Sequence, residues 1–178
     1  MSFQEFFDSI TGPELRAIAA HWDQARGTRR MPAWGGIDPV AIGRNLRYVW
    51  SWKYDRDSDT FTGRLAGEEI VRAFGKSPRG LKMTEFFTPE VYQVFFPWHR
   101  RIVTEPALLR GTGLIYSRVN RNFSGERIMM PLAEDGALGD GIIGASVYRP
   151  LEFDGKPPEQ PTGLNPEQIV FFPLENRG

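Results

Sequence analysis

Two histidines, no cysteine and a scatter of serines and carboxylates are the reactive groups of this 178-residue chain. Without cysteine there is no disulfide, no thiolate nucleophile and no cysteine-built zinc or iron–sulfur site, and the composition suits a reducing compartment, so the expectation is a cytoplasmic protein. His99 follows Phe95 by four residues and precedes Ile102 by three, which sets it on the border of an inward helix face. Arg100 and Arg101 come next. The expectation is therefore a boundary histidine with its ring partly in water. His21 falls on the flank of an earlier helix and is expected at the surface. The acidic pairs Glu68-Glu69 and Glu134-Asp135 are chain neighbours, which face apart on helix or strand and cannot share one substrate. They read as a helix-start charge preference and a turn. There is no nucleophile elbow and no acidic cluster at metal-ligand spacing. The sequence predicts no catalytic residue, no metal, no cofactor and no enzyme.

Three local patterns imitate known sites. Gly139-Asp140-Gly141-Ile142-Ile143-Gly144 matches G-x-G-x-x-G, but a dinucleotide loop must open a helix, and these glycines lead into the strand-like Ala145-Ser146-Val147-Tyr148. A turn entering the last strand is the better reading. Gly75-Lys76-Ser77 ends like a P-loop, yet Ile70 stands where its first glycine belongs. Asn122-Phe123-Ser124 is a glycosylation sequon without secretory context.

The elements that must carry these residues follow from periodicity and punctuation. Thr11 and Glu14 form a T-x-x-E capping box, Pro13 suits the first turn, and Leu15, Ile18, Ala19, Trp22 and Ala25 make one apolar stripe that Gly27 ends. Arg26, Arg29 and Arg30 read as solvated charge at that helix's end. Tyr48, Trp50, Trp52 and Tyr54 alternate along a strand over 46–54, residues 55–59 turn, and Thr60 to Ala66 returns. A short helix from Glu68 to Phe74 stops at Gly75, and residues 81–87 add another turn or two. Thr88-Pro89 then opens a long helix with an inward stripe of Val91, Phe95, Trp98 and Ile102, kinked or split at Pro97. Three strands are predicted over 108–119, 126–132 and 141–148. Five prolines in residues 151–178 predict an extended tail, whose Ile169-Val170-Phe171-Phe172 is apolar enough to dock on the body or on a partner. The division is thus an N-terminal helix (1–31), one main domain (32–150) and a Pro-rich tail (151–178).

Lys+Arg and Asp+Glu number 22 each, so no net charge draws the chain to nucleic acid or to an anionic membrane. No run approaches the roughly 18 apolar residues of a membrane span, and the first residues lack the form of a signal peptide. The order ββ, helices, βββ gives an α+β fold with an antiparallel sheet.

Within that order, Ile37-Asp38-Pro39, Arg64-Leu65-Ala66-Gly67, Phe74-Gly75, Gly80, Met130-Pro131-Leu132, Asp135-Gly136 and Gly144 with Val147-Tyr148 resemble a PAS domain, specifically a bacterial, standalone subfamily of uncharacterised function. The resemblance implies a five-stranded antiparallel sheet with short helices on one face and a small cavity between them. It implies a sensory or signalling module that binds a small ligand and acts in trans. The candidate lining is Trp50, Trp52, Phe61, Phe74, Met83, Phe87, Phe95, His99, Tyr116 and Met129. Each of these serves a packed core as readily as a cavity wall. The alternative is a ligand-free module for protein–protein contact or dimerisation. Haem-binding relatives suggest a third reading, with His99 as axial ligand. Related domains use an N-terminal helix to cover the sheet or to pair with a second copy, and the expectation is a homodimer through the Trp22 stripe.

Overall fold

The computed structural model describes residues 2–118, 121–150 and 168–175. Among the described residues six α-helices, α1 Ser2–Ser9, α2 Pro13–Arg26, α3 Pro39–Ile42, α4 Glu68–Phe74, α5 Met83–Phe86 and α6 Pro89–Thr104, surround a sheet of six strands. The strands are β1 Val49–Asp55, β2 Thr60–Ala66, β3 Ala107–Arg118, β4 Arg121–Leu132, β5 Gly141–Pro150 and β6 Gln168–Pro173. Their order is β2-β1-β5-β4-β3-β6, with every pairing antiparallel. The expected sheet had five strands. The sixth is the Ile169–Phe172 run of the expected tail, which pairs with β3 from Ala107↔Pro173 to Thr112↔Gln168. The rest of that tail, 151–167 and 176–178, lies outside the described residues.

Strand alternation divides the core in two. Val49, Leu108, Ile128, Met130, Ile143 and Ala145 point to one face, where Phe6 and Ile10 and the α2 stripe of Leu15, Ile18, Ala19 and Trp22 cover them. Trp50, Trp52, Leu109, Met129 and Ile142 point to the other, under α4, α5 and α6. The short helices thus sit on one face as expected, and the N-terminal helices close the opposite one. Trp22 is 1% exposed, and its Nε1–H donates to the Pro131 carbonyl at 2.9 Å. The stripe expected to pair with a second copy is buried within its own chain. While α2 packs in this way, that stripe is not open to a second copy.

Local chemistry explains where α2 begins. Gly12 is its N-cap, not Thr11, and the capping box does not form. Thr11 turns to the sheet instead. Glu126 on β4 accepts from the Thr11 hydroxyl at 2.8 Å and from the backbone N–H groups of Thr11 and Gly12, and Arg110 on β3 donates to the same carboxylate. Burial pushes the Glu126 carboxyl up, but these donors together hold it below the usual range. The carboxylate so replaces the cap that the helix lacks and fixes α2 to the sheet. Arg26, expected in solvent, is buried: it pairs with Asp23 and lies over the rings of Phe3 and Trp22. Arg30 donates to the Leu174 carbonyl.

On the other side, residues 46–48 belong to a 3-10 turn, Gly43–Tyr48, and the strand begins at Val49. The β1–β2 turn places Asp59 at φ 49°, where it accepts from Tyr54 Oη at 2.6 Å and from Arg100 on α6. The helix α6 runs unbroken through Pro97, and its buried positions are Phe95, His99, Ile102 and Val103. Val91 and Trp98 are only half-buried. Among the described residues no helix is long and apolar enough to cross a membrane.

Candidate functional site: a small aromatic cup

Between the second sheet face and α4–α6 lies a cavity of about 30 Å³. Its floor is the sheet. β1 supplies Trp50 and Trp52, β4 supplies Arg127, and β5 supplies Ser146 and Tyr148. The walls are Ile70 and Phe74 of α4, Pro78, and Phe86 and Phe87 at the end of α5. Phe95 and His99 close it from α6, one helical turn apart. Two of these residues depend on close approaches. A Cβ on Gly144 would stand 2.3 Å from a Trp50 ring carbon, so the indole lies flat on that glycine and reaches Ser146, donating to Oγ at 3.0 Å. Gly67, at the end of β2, brings the α4 N-terminus against the Leu46 and Arg47 carbonyls, each 2.3 Å from where its Cβ would be. Replacing Gly144 by alanine is expected to lift Trp50 off the floor and cost about 1–3 kcal/mol, read as a lower urea midpoint with a changed near-ultraviolet dichroism.

The polar part of the cup forms an arc. His99 is 2% exposed, contrary to the expected boundary position, because its spacing from Phe95 carries it onto the buried stripe. Its ring stands 5.6 Å from Trp50 and 5.6 Å from Phe61, and meets Trp52 edge-on at 6.5 Å. Nδ1 lies 2.8 Å from the Phe95 carbonyl. A carbonyl only accepts, so Nδ1 carries the proton and Nε2 is left as an acceptor. That Nε2 is buried and has no hydrogen-bond partner. Burial pushes the His99 imidazole down to about 3, and the positive charge of Arg127 adds to this against the opposing pull of the Phe95 carbonyl. His99 is therefore neutral at physiological pH. Arg127 is 3% exposed, with its guanidinium 4.6 Å from the centre of the Phe95 ring. It is the register partner of Ser146 on the neighbouring strand.

Of the residues expected to line a cavity, Trp50, Trp52, Phe74, Phe87, Phe95 and His99 do so. Phe61, Met83 and Met129 belong to the same buried cluster but stand behind the wall. Tyr116 lies on β3, and its side chain falls outside the described residues. Sequence reasoning missed Arg127, Ser146, Ile70, Pro78, Phe86 and Tyr148. His21 is partly exposed and accepts the Asp38 backbone N–H at 3.0 Å. Among the described residues no group of three or more metal-ligating side chains assembles. The cavity is far smaller than a porphyrin macrocycle, so the cup does not fit haem against His99.

The cup, the five-strand core of the sheet and the three helices above it follow the order that the resemblance implied. The PAS domain family model matches residues 10–147, which spans α2 to β5. The chain belongs to the PAS domain family. No curated protein and no solved structure matches it. The PAS match takes in α2, and it ends at Val147, before β6. The PAS cup is chemically a polar arc in an aromatic bowl. It can accept a hydrogen bond at His99 Nε2, donate from the Arg127 guanidinium, and donate the Ser146 hydroxyl proton.

Proposed function

We propose that this chain is a non-catalytic PAS sensory module that takes a small ligand into the cup above β1, β4 and β5 and passes the event to a partner protein in trans. The observation that carries this reading is His99 Nε2. A fully buried acceptor without a donor costs about 1–3 kcal/mol, and core positions normally avoid it. A ligand that donates to Nε2 removes that cost. The surrounding rings supply apolar area, and the few convergent polar groups supply orientation, which is the usual make-up of a small-molecule site. The cysteine-free composition suits a reducing compartment, and we place the module in the cytoplasm.

The alternative, a ligand-free contact module, needs a contiguous exposed apolar surface. Among the described residues the exposed large apolar side chains are Val40, Leu138 and Val170, on α3, the β4–β5 connection and β6. Three side chains on three separate elements give that reading little support. Native mass spectrometry of freshly purified protein tests the proposal and reports the oligomeric state at once. The expected spectrum contains a species heavier than the chain by one small molecule, released on collisional activation. Only bare chain, together with no thermal shift across a panel of small metabolites, would overturn the sensory reading.

A further inference from the structure

We infer that the cup takes a small neutral alcohol, whose hydroxyl donates to His99 Nε2 and whose alkyl body lies among the rings of Trp50, Trp52 and Phe95. This deepens the sensory reading above and rests on it. Three properties of the site select the ligand class.

The first is polarity. His99 is 2% exposed and is fixed as the Nδ1–H form by the Phe95 carbonyl, so its Nε2 only accepts. That atom is buried, meets no donor, and sits on a residue of the cup lining. The occupant must therefore bring a donor. Ser146 Oγ accepts from Trp50 Nε1 and has its own O–H to give. A hydroxyl suits such a lining, since its one oxygen donates to one neighbour and accepts from another.

The second is charge. The cup is enclosed mainly by aromatic side chains, where an ion would lose its hydration. A carboxylate offers only lone pairs and would set one against the lone pair of Nε2. An alkylammonium brings donors, but the positive charge of Arg127, which already opposes protonation of His99, opposes a second cation beside it as well. A neutral donor meets neither obstacle.

The third is size. A cavity of about 30 Å³ limits the occupant to a handful of non-hydrogen atoms. The rings of Trp50 and Trp52 stand 5.6 and 6.5 Å from the His99 ring, so apolar surface begins directly beside the imidazole. A short alkyl body fits there, whereas the further hydroxyls of a polyol would need partners that rings do not supply. Probes of one branched shape separate these requirements. Isopropanol carries the neutral donor. Acetone keeps the shape and loses the donor. Acetate is an anion without a donor, and isopropylammonium is a cationic donor.

Nuclear magnetic resonance titration of the isotope-labelled, unmutated protein at neutral pH, followed at the His99 ring nitrogens, tests the assignment. Molecules of this size bind no tighter than roughly tens of micromolar, so each probe is carried well into the millimolar range. Isopropanol is expected to saturate and to move the Nε2 resonance. Acetone, acetate and isopropylammonium are each expected to bind more weakly by tenfold or more, because each leaves Nε2 without a donor or brings an ion among the rings. His99→Leu is expected to remove the preference for isopropanol over acetone. Should that variant fail to fold, the probe series on the unmutated protein decides alone. Equal binding of acetone, or saturation by isopropanol without movement of Nε2, removes the role given to His99. Equal binding of either ion removes the requirement for neutrality. Each of these results overturns the inference, and so does binding by none of the probes. A retained small molecule in the native mass spectrum would then leave the sensory reading standing with a different ligand class.

Discussion

Replacing His99 by leucine is expected to leave the ligand-free protein no less stable than the unmutated one, and up to about 2 kcal/mol more stable, while abolishing any stabilisation by ligand. Most buried polar residues behave in the opposite way when truncated. The difference lies in Nε2, which is buried and unpartnered, so leucine removes an uncompensated cost. The Phe95 carbonyl loses the Nδ1 bond but lies within a helix, where the backbone offers it a donor four residues on. The same substitution should change the acid response. The folded-state value for His99 is near 3, against an ordinary 6.5. As pH falls below 6.5 the unfolded chain takes up the proton and the folded chain does not, so stability drops between pH 6.5 and about 3. The slope is at most about 1.4 kcal/mol per pH unit for this one group. Glu126 acts in the same direction, but at lower pH. Its folded value is depressed, so its contribution is complete above the ordinary carboxylate value and is lost only as pH falls through the lower, folded one. Between pH 5 and 6.5 the slope therefore belongs to His99, whose ring is enclosed by Trp50, Trp52 and Phe61 and feels the charge of Arg127. Urea midpoints at pH 5 and pH 7 measure both effects. A loss of more than about 2 kcal/mol at pH 7, or an unchanged slope, would show that His99 holds the fold together and is not reserved for a ligand.

Trp22→Ala is expected to destabilise the protein by about 3–5 kcal/mol, without changing its oligomeric state. Trp22 lies under Phe3, with ring planes 15° apart, and its indole carries the Arg26 guanidinium at 5.0 Å on the other contact. Truncation empties this space and leaves the Pro131 carbonyl on β4 without its donor. Against a total stability on the order of 5–15 kcal/mol, that is a large share. Urea unfolding with sedimentation velocity on the same samples checks the prediction. A normal midpoint combined with the loss of a dimer would mean that α2 serves a partner.

The parts of the fold that were legible in the sequence are those punctuated by glycine. β2 and α4 occupy the expected Thr60–Ala66 and Glu68–Phe74 because Gly67 permits a backbone contact that no side chain would survive and Gly75 ends the helix in the left-handed region. Trp50, Trp52 and Phe95 of the cup were legible because aromatic alternation on β1 and helical spacing on α6 are strong signals. Arg127 and Ser146 were not. β4 and β5 are interior strands buried on both faces, so the in–out alternation that marks an inward residue is silent there. His99 was misplaced because Arg100 and Arg101 suggested solvent, although only one helical turn separates it from Phe95. The capping role of Glu126 could not be read either, since its partner Thr11 is remote in sequence and a local box offered a simpler account.

The sheet order has a kinetic meaning. β1 and β2 form one local hairpin, while β3, β4 and β5 form a meander of successive strands, and within the sheet the two blocks meet along the β1–β5 pairing, from Val49↔Ala145 to Lys53↔Gly141. That seam joins distant parts of the chain, and long-range strand pairings are the slow ones to close. The Trp50–Ser146 bond crosses it, and so does the floor of the cup. Neither block contains the site alone. A molecule bound there has nothing to hold until the seam has shut, so its stabilisation appears as slower unfolding, with the rate of folding unchanged.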